Sequence, residues 1–283
     1  MIIAMHMKIL SLLIVLFLCT SSSFANQSLV WNGQEKFTKS QRSTVEAWLH
    51  FGVQANINTF NALPFERIYF DVVPYENAKE PVPWAQVNRS DNSINLYIGP
   101  NYSLEPLKQD WTIYHEIAHL YLPFLDSESA WLSEGFATYM QQIIMLQSQL
   151  LTKQEMVNKI KAGLNRGKKN TLTNDGKLNN ISSNMHQNKA YMRVYWSGTA
   201  YFLEADYLLH QQENNLSLVI NQYINCCLTD EADGKSLIAD LDRLSQSNIF
   251  STLYKQYKYR TDFPDINIDK VTAITEYYNK RDE

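Results

Sequence analysis

The alternation of hydrophobic and polar positions divides the chain into a mixed first part and a helical second part. In Lys39 to Phe60, "KSQRSTVEAWLHFGVQANINTF", apolar residues recur at the spacing of one helix face and predict a helix. "FERIYFDVV" and "INLYIG" are rich in β-branched and aromatic residues and predict strands. The prolines of "VPYENAKEPVPW" between them indicate an irregular connection.

After Pro100 nearly every segment is predicted to be helical. The expected helices cover residues 107–122, 128–151, 190–210, 216–228 and 235–257. The polar stretch from Asn165 to Asn188 predicts a solvated loop or disordered excursion, with a flap over a site as the alternative. Strands first and helices afterwards indicate an α+β fold and not a parallel βαβ sheet.

The N-terminal residues have the pattern of a secretory signal peptide. Lys8 precedes an apolar run from Ile9 to Leu18, and Ser23-Phe24-Ala25 supplies small residues for cleavage. The run has about half of the roughly 20 residues that a membrane-spanning helix needs. We therefore expect cleavage after Ala25 and export to the periplasm or the extracellular medium, with a retained interfacial anchor as the alternative.

The remainder, residues 26–283, is predicted to form a single domain. Its sheet-containing part is expected at about 26–105 and its helical part at about 106–283. A net charge of −4 gives no reason to expect a nucleic-acid partner, and no later apolar stretch reaches membrane length. Of the three cysteines, the adjacent Cys226 and Cys227 are interpreted as buried small hydrophobic residues, with a vicinal disulfide or a metal role as alternatives.

The sequence "HEIAH" from His115 to His119 contains the spacing of a zinc site. If this segment is helical, the two histidines lie on one face, a turn apart, and can bind one zinc ion. Glu116 then lies beside the metal, where it can take a proton from water and pass it to a leaving amine. The alternative is a helix with two half-buried, hydrogen-bonded histidines.

Glu134 in "DSESAWLSEGFATYM" is the candidate third ligand. It lies on a different helix face from the apolar stripe of this segment, and a short turn after Pro123 would bring it towards the two histidines. Three protein ligands and one open position are typical of a catalytic zinc, so one Zn²⁺ per chain is expected. The rival carboxylates Asp126 and Glu128 are predicted to be helix caps or solvated. Leu122 and Leu125 stand where a metzincin has Gly and a third His, which excludes that class.

These motifs carry a family resemblance. "HEIAH" followed by "WLSEGFATY" resembles the gluzincin metallopeptidases, and most closely the catalytic domain of the alanyl aminopeptidase family. The resemblance covers about Trp111 to His210. It implies a thermolysin-like zincin fold with a small N-terminal β-sheet, a helical lobe and an active cleft between them. It also implies that Glu134 binds zinc and that Tyr195, three residues before Gly198 in "YWSGTA", stabilises the oxyanion; Tyr191 is the alternative.

Two departures from that family carry expectations of their own. Fourteen residues separate His119 from Glu134, fewer than is usual in the family, so a tighter connection between the two helices is expected. No Gly-x-Met-Glu-Asn segment precedes the zinc motif. In the family that segment anchors the free amino terminus of the substrate, so the resemblance does not extend to aminopeptidase specificity.

The resulting hypothesis is an exported zinc-dependent peptidase that acts on a peptide or protein. The alternative is a catalytically weak protein of the same fold that binds peptides or assists assembly, although an intact Glu116 favours the enzyme. "INLYIG" is a candidate edge strand for pairing with an extended peptide. His50, His186 and His210 are predicted to be structural or exposed. Glu204 and Asp206 are predicted either to orient a zinc-bound imidazole or to be solvated.

Overall fold

The computed structural model describes residues 28–279, so the predicted signal peptide lies outside the described residues. The α+β prediction is confirmed: the described part is mostly helical and contains one four-stranded sheet and one two-stranded sheet. None of the helices in residues 28–279 is long and apolar enough to cross a membrane.

The larger sheet is built near the start of the chain. Its strands are β1 (Leu29–Asn32), β2 (Ile68–Pro74), β3 (Trp84–Asn88) and β4 (Ser93–Ile98). Their order in space is β1-β2-β4-β3, with β1, β2 and β4 parallel and β3 antiparallel to β4. The expectation that excluded a parallel βαβ arrangement is therefore wrong for β1 and β2, which the helix of residues 39–60 connects. The face turned to the helices is apolar and fully buried, because every second residue points inwards: Ile68, Phe70, Val72, Ile94, Leu96 and Ile98.

The proposed edge position of "INLYIG" is wrong, since β4 lies between β2 and β3. The edge strand that contacts the helix of residues 112–119 is β3, which begins at Trp84, the last residue of the stretch predicted to be irregular. Strand β3 was missed because it is short and follows Pro83 directly.

The helices of the described residues follow in chain order. They are α1 (Lys39–Phe60), α2 (Leu104–Gln109), α3 (Thr112–His119), α4 (Ala130–Gln147), α5 (Lys153–Thr171), α6 (Leu178–Ser183), α7 (Tyr191–His210), α8 (Leu216–Cys226), α9 (Gly234–Ser245), α10 (Ile249–Tyr257) and α11 (Ile268–Asn279).

Helix α1 has the predicted bounds. Thr38 and Gln41 form a capping box at its start, in which each side chain bonds the other residue's backbone N–H. Asn61 ends it in the left-handed conformation with φ 61°. Its face towards the core includes Trp48, fully buried against the rest of the protein.

Two predicted helices are each divided in the structure. Residues 107–122 form α2 and α3, because Asp110 leaves the helical conformation and its carboxylate accepts a hydrogen bond from the Thr112 N–H at 2.9 Å. Residues 235–257 form α9 and α10, separated at Gln246, whose φ of 52° ends α9.

The prediction of a loop from Asn165 to Asn188 is wrong. Helix α5 continues to Thr171, and α6 occupies Leu178–Ser183. A Cβ added to Gly163 on α5 would collide with the Trp196 ring, and one added to Gly167 would collide with the Phe263 ring and the Trp196 Cβ. This packing holds a polar sequence in a helix that its composition alone does not favour.

Cys226 and Cys227 form a disulfide at the end of α8. Cys226 is exposed and Cys227 is half-buried, so the interpretation as two buried small hydrophobic residues is wrong. The vicinal disulfide, kept as an alternative, is the arrangement that the structure has.

Residues 230–234, which we call the strap, hold the connection between α3 and α4. Strand β5 (Phe124–Leu125) pairs in parallel with β6 (Glu231–Ala232), and the Phe124 N–H donates to the Asp230 carbonyl at 2.9 Å. The Asp126 carboxylate accepts from the N–H groups of Ser129 at 3.0 Å and Gly234 at 3.1 Å. The connection is therefore held at Phe124 and at Asp126.

Candidate metal centre

His115, His119 and Glu134 come together between α3 and α4. The Nε2 atoms of the two histidines are 3.1 Å apart, and each lies 3.5 Å from Glu134 Oε2. Among the described residues this is the group of His, Cys, Asp and Glu side chains that has the spacing of a metal site. Helix geometry explains the approach of the histidines, which stand four residues apart on α3.

Both imidazole rings are oriented by bonds on their far side. His115 Nδ1 lies 2.8 Å from Gln141 Oε1, and His119 Nδ1 lies 3.1 Å from Ser133 Oγ. An amide oxygen accepts only, so His115 donates its Nδ1 proton and leaves the Nε2 lone pair facing the cluster. Both orienting partners lie on α4, the helix that also carries Glu134.

The electrostatics of the cluster favour a positive charge at its centre. Burial lowers the pKa of His115, but the Glu134 and Glu116 carboxylates and Gln141 outweigh burial and leave that pKa raised. Burial raises the pKa of Glu134, but His119 and His115 outweigh it and leave that pKa well below its usual value. Glu134 is therefore a carboxylate that needs a cation or a proton beside it.

These residues fit a zinc ion. Ligand atoms bound about 2.0 to 2.1 Å from a tetrahedral zinc lie roughly 3.3 to 3.4 Å from one another. The three separations in the cluster, 3.1, 3.5 and 3.5 Å, lie close to that spacing. Glu134 Oε2 is buried and has no hydrogen-bond partner among the described residues, a cost that a bound cation removes.

Glu116 lies beside the cluster and is held by the edge of the sheet. Its Oε2 accepts a hydrogen bond from the Val87 N–H of β3 at 3.1 Å, and the residue is 8% exposed. The carboxylate is close enough to His115 to act on its pKa. Strand β3 thus fixes the group that the sequence predicts to be the general base.

Arg89 contacts the C-terminal end of α3, the helix that carries the two histidines. Its guanidinium donates to the His119 carbonyl at 2.9 Å and to the Leu122 carbonyl at 3.2 Å. The His119 carbonyl ends α3 and also accepts from the Leu122 N–H at 3.3 Å, while the Leu122 carbonyl lies just beyond the helix. Burial lowers the pKa of Arg89, and the Glu116 and Glu134 carboxylates partly offset that effect.

Tyr195 on α7 lies against the cluster. Its ring is parallel to the His115 ring within 19°, with centroids 6.0 Å apart. Burial raises the pKa of Tyr195 far above its ordinary value, and the negative charge of the nearby Glu134 carboxylate raises it further. The phenol therefore remains protonated and is a hydrogen-bond donor.

Two glycines let α4 and α7 approach this closely. A Cβ on Gly198 would collide with the Trp131 carbonyl oxygen, and a Cβ on Gly135 would collide with the Gly198 backbone. Gly135 follows Glu134, and Gly198 is one turn after Tyr195. The backbone contact of the two glycines therefore places Tyr195 beside Glu134.

Other predicted site residues have different partners. Asp126 is a helix cap, as predicted, and Glu128 pairs with Lys258 at 3.5 Å. Glu204 accepts hydrogen bonds from Tyr257 and Lys270, and Asp206 accepts from Tyr139, Tyr278 and the Leu216 N–H. Neither Glu204 nor Asp206 contacts a zinc-site imidazole, because the orienting partners are Gln141 and Ser133.

The motif and the architecture agree with known peptidases. A profile of the M61 glycyl aminopeptidase family matches residues 114–207, a third of the 283-residue chain. An aminopeptidase N family protein from Idiomarina loihiensis has a similar structure, with a TM-score of 0.57, 16% identity, and coverage of 87% of this chain and 46% of that one.

The chain resembles the gluzincin peptidases. An M1 zinc metallopeptidase from Deinococcus radiodurans supports the same fold, with a TM-score of 0.50, 14% identity, and coverage of 78% of this chain and 45% of that one. The gluzincin-like chain thus spans less than half the length of either solved structure. No curated protein matches the sequence.

Several residues of the gluzincin-like centre were missed from the sequence. Gln141 carries a detectable signal, since it stands seven residues after Glu134 on the same face of a mostly apolar helix. Ser133, Arg89 and the Val87 N–H have no such signal. Their contacts arise only when separate elements pack together.

Proposed function

We propose that this chain is a zinc-dependent peptidase that hydrolyses peptide bonds with activated water. The observation that carries the proposal is the buried, unpartnered Glu134 Oε2 lying 3.5 Å from two imidazole nitrogens that are themselves 3.1 Å apart. His115, His119 and Glu134 would hold the ion. Bound there, zinc polarises a carbonyl oxygen and lowers the pKa of a bound water.

Glu116 is the general base in this proposal. Its carboxylate is fixed by the Val87 N–H beside the ligand cluster, so it can accept a proton from the attacking water without rearranging. The same carboxyl then delivers that proton to the leaving amine nitrogen. Fixing by a strand, not by a flexible loop, reduces the reorganisation that each transfer requires.

Tyr195 is the oxyanion donor in this proposal. A phenol whose pKa is strongly raised by burial and by Glu134 keeps its proton when negative charge develops nearby. Its stacking on His115 orients the ring relative to the ligand cluster. A fixed donor of this kind contributes about 100-fold to 1,000-fold in rate.

We further propose a thermolysin-like cleft between β3 and the helices, in which the substrate pairs with β3 as an extended strand. The Val87 N–H points away from β4, since it donates to Glu116. Strand alternation turns the N–H and C=O of Ala85 to the same open side. These groups can pair with the main chain of an extended peptide.

The proposed substrate does not need a free amino terminus. Strand β3, "WAQVN", carries no acidic residue. In the described part of the chain, the carboxylates that act on the pKa of His115 and Tyr195 are Glu116 and Glu134, both committed to other tasks. A substrate ammonium group would find no further carboxylate there, so N-acetylated peptides are expected to be cleaved as well as free ones.

Export remains part of the proposal. It is supported by the signal-peptide pattern and by the Cys226–Cys227 disulfide, because disulfides persist mainly in oxidising compartments. N-terminal sequencing of the protein recovered from periplasm or medium is expected to begin at Asn26. An intact Met1 in that fraction would contradict cleavage.

The metal is tested first, by zinc content per purified chain. We expect about one zinc in the parent protein and little in the His119→Ala variant, because three protein ligands are the minimum for this type of site. His50→Ala, at a half-buried histidine of α1 far from the cluster in sequence, is the matched control. Absence of zinc from the reconstituted parent would refute the proposal.

The activity is tested with a peptide library on zinc-loaded protein. Glu116→Gln is expected to keep the zinc and to lose about 100-fold to 10,000-fold in kcat, since the base is gone but the ligands remain. Full activity in Glu116→Gln would refute the assigned mechanism. Peptide binding without turnover in the parent would favour the binding-protein alternative.

A further inference from the structure

Two exposed aromatic rings border the ligand cluster. Trp111 is 48% exposed and Tyr191 is 36% exposed. Each stands four residues before a ring of the centre: Trp111, the N-cap of α3, before His115, and Tyr191 before Tyr195 on α7. The His115 N–H donates to the Trp111 carbonyl at 3.2 Å, which places Trp111 at the start of α3.

Three of these rings are in contact with one another, and Tyr191 lies one helical turn before the third of them, Tyr195. Trp111 meets His115 edge to face, with centroids 5.2 Å apart and planes at 88°, and His115 stacks on Tyr195. Tyr191 is held by His186, whose Nδ1 is 3.2 Å from the phenol oxygen. Both outer rings are therefore fixed in place while part of each ring faces water.

We propose that Trp111 and Tyr191 form a side-chain subsite that accepts an aromatic or large aliphatic residue next to the cleaved bond. The inference rests on the proposed peptide hydrolysis and names its substrate class. Covering the exposed part of an indole and a phenol removes apolar surface from water, and an aromatic guest adds edge-to-face contacts.

Electrostatics disfavour large charged side chains of a substrate at this subsite. Arg89 and a divalent ion would carry three positive charges against the two negative charges of Glu116 and Glu134, and this excess opposes the cation–π attraction of a substrate Lys or Arg to the two rings. The faces of Trp111 and Tyr191 carry the negative side of the ring quadrupole and disfavour a carboxylate. Apolar side chains are therefore preferred over charged ones of similar size.

The alternative role of Trp111 is to cover His115 and shield that ring from water. The two roles differ in what they predict. Loss of a cover weakens the metal site and affects all peptides alike. Loss of a subsite affects peptides according to their side chain and leaves the zinc in place.

The test measures peptide binding by calorimetry in the zinc-loaded Glu116→Gln background, which retains ligands but not turnover. The probes are N-acetylated, C-amidated peptides with Phe, Leu, Ala, Arg or Glu on either side of the bond. At one of the two positions, Phe and Leu are expected to bind at least about tenfold more tightly than Ala. Trp111→Ala is expected to reduce that preference below about threefold, and Trp111→Phe to retain most of it.

Tyr259→Ala is the matched control, since Tyr259 is 57% exposed and contacts Lys177 and Lys258, not the cluster. It is expected to bind all the peptides as the background does. An equal loss for Phe and Ala peptides in Trp111→Ala, or a loss of zinc, would overturn the subsite and assign the cover role.

The same peptides separate this inference from the proposed function. Cleavage by the parent protein without side-chain preference would refute the subsite and leave the peptidase standing. Binding with the expected preference but without cleavage would support the subsite and refute the peptidase. No binding and no cleavage would refute both.

Discussion

Arg89 lies outside the motif of His115 to His119 but contacts that motif directly. It follows β3 in the chain and bonds the carbonyl of His119 itself. Since Val87 of β3 holds Glu116, the edge strand and the turn after it contact α3 through two separate residues.

Replacing Arg89 with Ala is expected to destabilise the protein by about 2 to 4 kcal/mol and to weaken zinc binding. Two carbonyls lose a charged donor that contributes about 1.5 to 3 kcal/mol each, and the loss is smaller than the sum because the His119 carbonyl keeps the Leu122 N–H. Arg89→Lys is expected to lie between, because an ammonium group cannot form the same fork. Urea unfolding and zinc titration of each variant provide the measurement.

Arg42→Ala, on the exposed side of α1, is the control for loss of an arginine. It is expected to change neither quantity measurably. Unchanged zinc affinity in Arg89→Ala would contradict the role of Arg89 at the end of α3.

Asp206 gives a prediction about pH. Its buried carboxylate accepts from Tyr139 at 2.6 Å, Tyr278 at 2.9 Å and the Leu216 N–H at 2.7 Å. Burial raises the pKa of Asp206 above its ordinary 3.8, and these three donors only partly offset that effect. A carboxyl with a raised pKa in the folded protein stabilises the fold most in acid and less as pH rises through that pKa.

The Asp206→Asn variant cannot lose stability in this way. The free energy of unfolding of Asp206→Asn relative to the parent is therefore expected to increase from pH 3.8 upwards until the raised pKa is passed. Each unit of raised pKa corresponds to about 1.4 kcal/mol. Urea unfolding of both proteins across this range gives the difference, and a constant difference would contradict the prediction.

At the scale of elements, the approach of α4 to α7 depends on the Gly135–Gly198 contact. Gly198→Ala raises helix propensity by about 1 kcal/mol. The added Cβ would nevertheless collide with the Trp131 carbonyl, and overpacking costs about 1 to 3 kcal/mol, with a backbone atom unable to yield. We expect lower thermal stability and separation of Tyr195 from Glu134.

Gly52→Ala on α1 is the matched control, because its Cβ would meet the movable end of the Ile113 side chain. Thermal unfolding of both variants and the Tyr195 contribution to kcat are the measurements. Equal effects of the two substitutions would contradict a special role for the backbone contact.

Elements were predictable where their signal is local. Helix α1 has both an amphipathic pattern and the Thr38–Gln41 capping box, and its bounds were predicted correctly. The continuation of α5 to Thr171 has no such signal, since it depends on glycines packed against Trp196 and Phe263. Strand β3 is half-exposed at an edge, where alternation is weak.

The same distinction applies to the candidate site. The approach of His115 to His119 follows from helix geometry, and that of Glu134 from the short connection after Pro123. The orientation of both rings by Gln141 and Ser133 requires the packing of α3 on α4, which sequence spacing does not specify.

At the scale of the molecule, zinc binding is expected to stabilise the whole fold. A ligand that binds only the folded state adds about 4.1 kcal/mol at a thousandfold excess over its Kd. EDTA is therefore expected to lower the Tm of the parent but not that of His119→Ala. A Tm that is unaffected by EDTA in a parent shown to contain zinc would place the ion outside this cluster.

We also expect one cooperative unfolding transition for residues 26–283. Helix α1 packs against α3 and α4, and Asn221 of α8 donates to the Phe60 carbonyl at 2.7 Å, so the early and late parts of the chain share contacts. Coincident transitions by circular dichroism and fluorescence would support a single domain. Two separated transitions would contradict it.

Because the strap of residues 230–234 holds the connection between α3 and α4, the candidate metal centre cannot be transferred to another protein as these two helices alone. A fragment ending at residue 229 would keep the two histidines, Glu134, Glu116 and Tyr195, together with the whole segment that matches the peptidase family. It would lose the partners of Phe124 and Asp126 that hold the two ligand-bearing helices in register. A graft of α3 and α4 into another scaffold would therefore carry the complete signature without the support that sets its spacing.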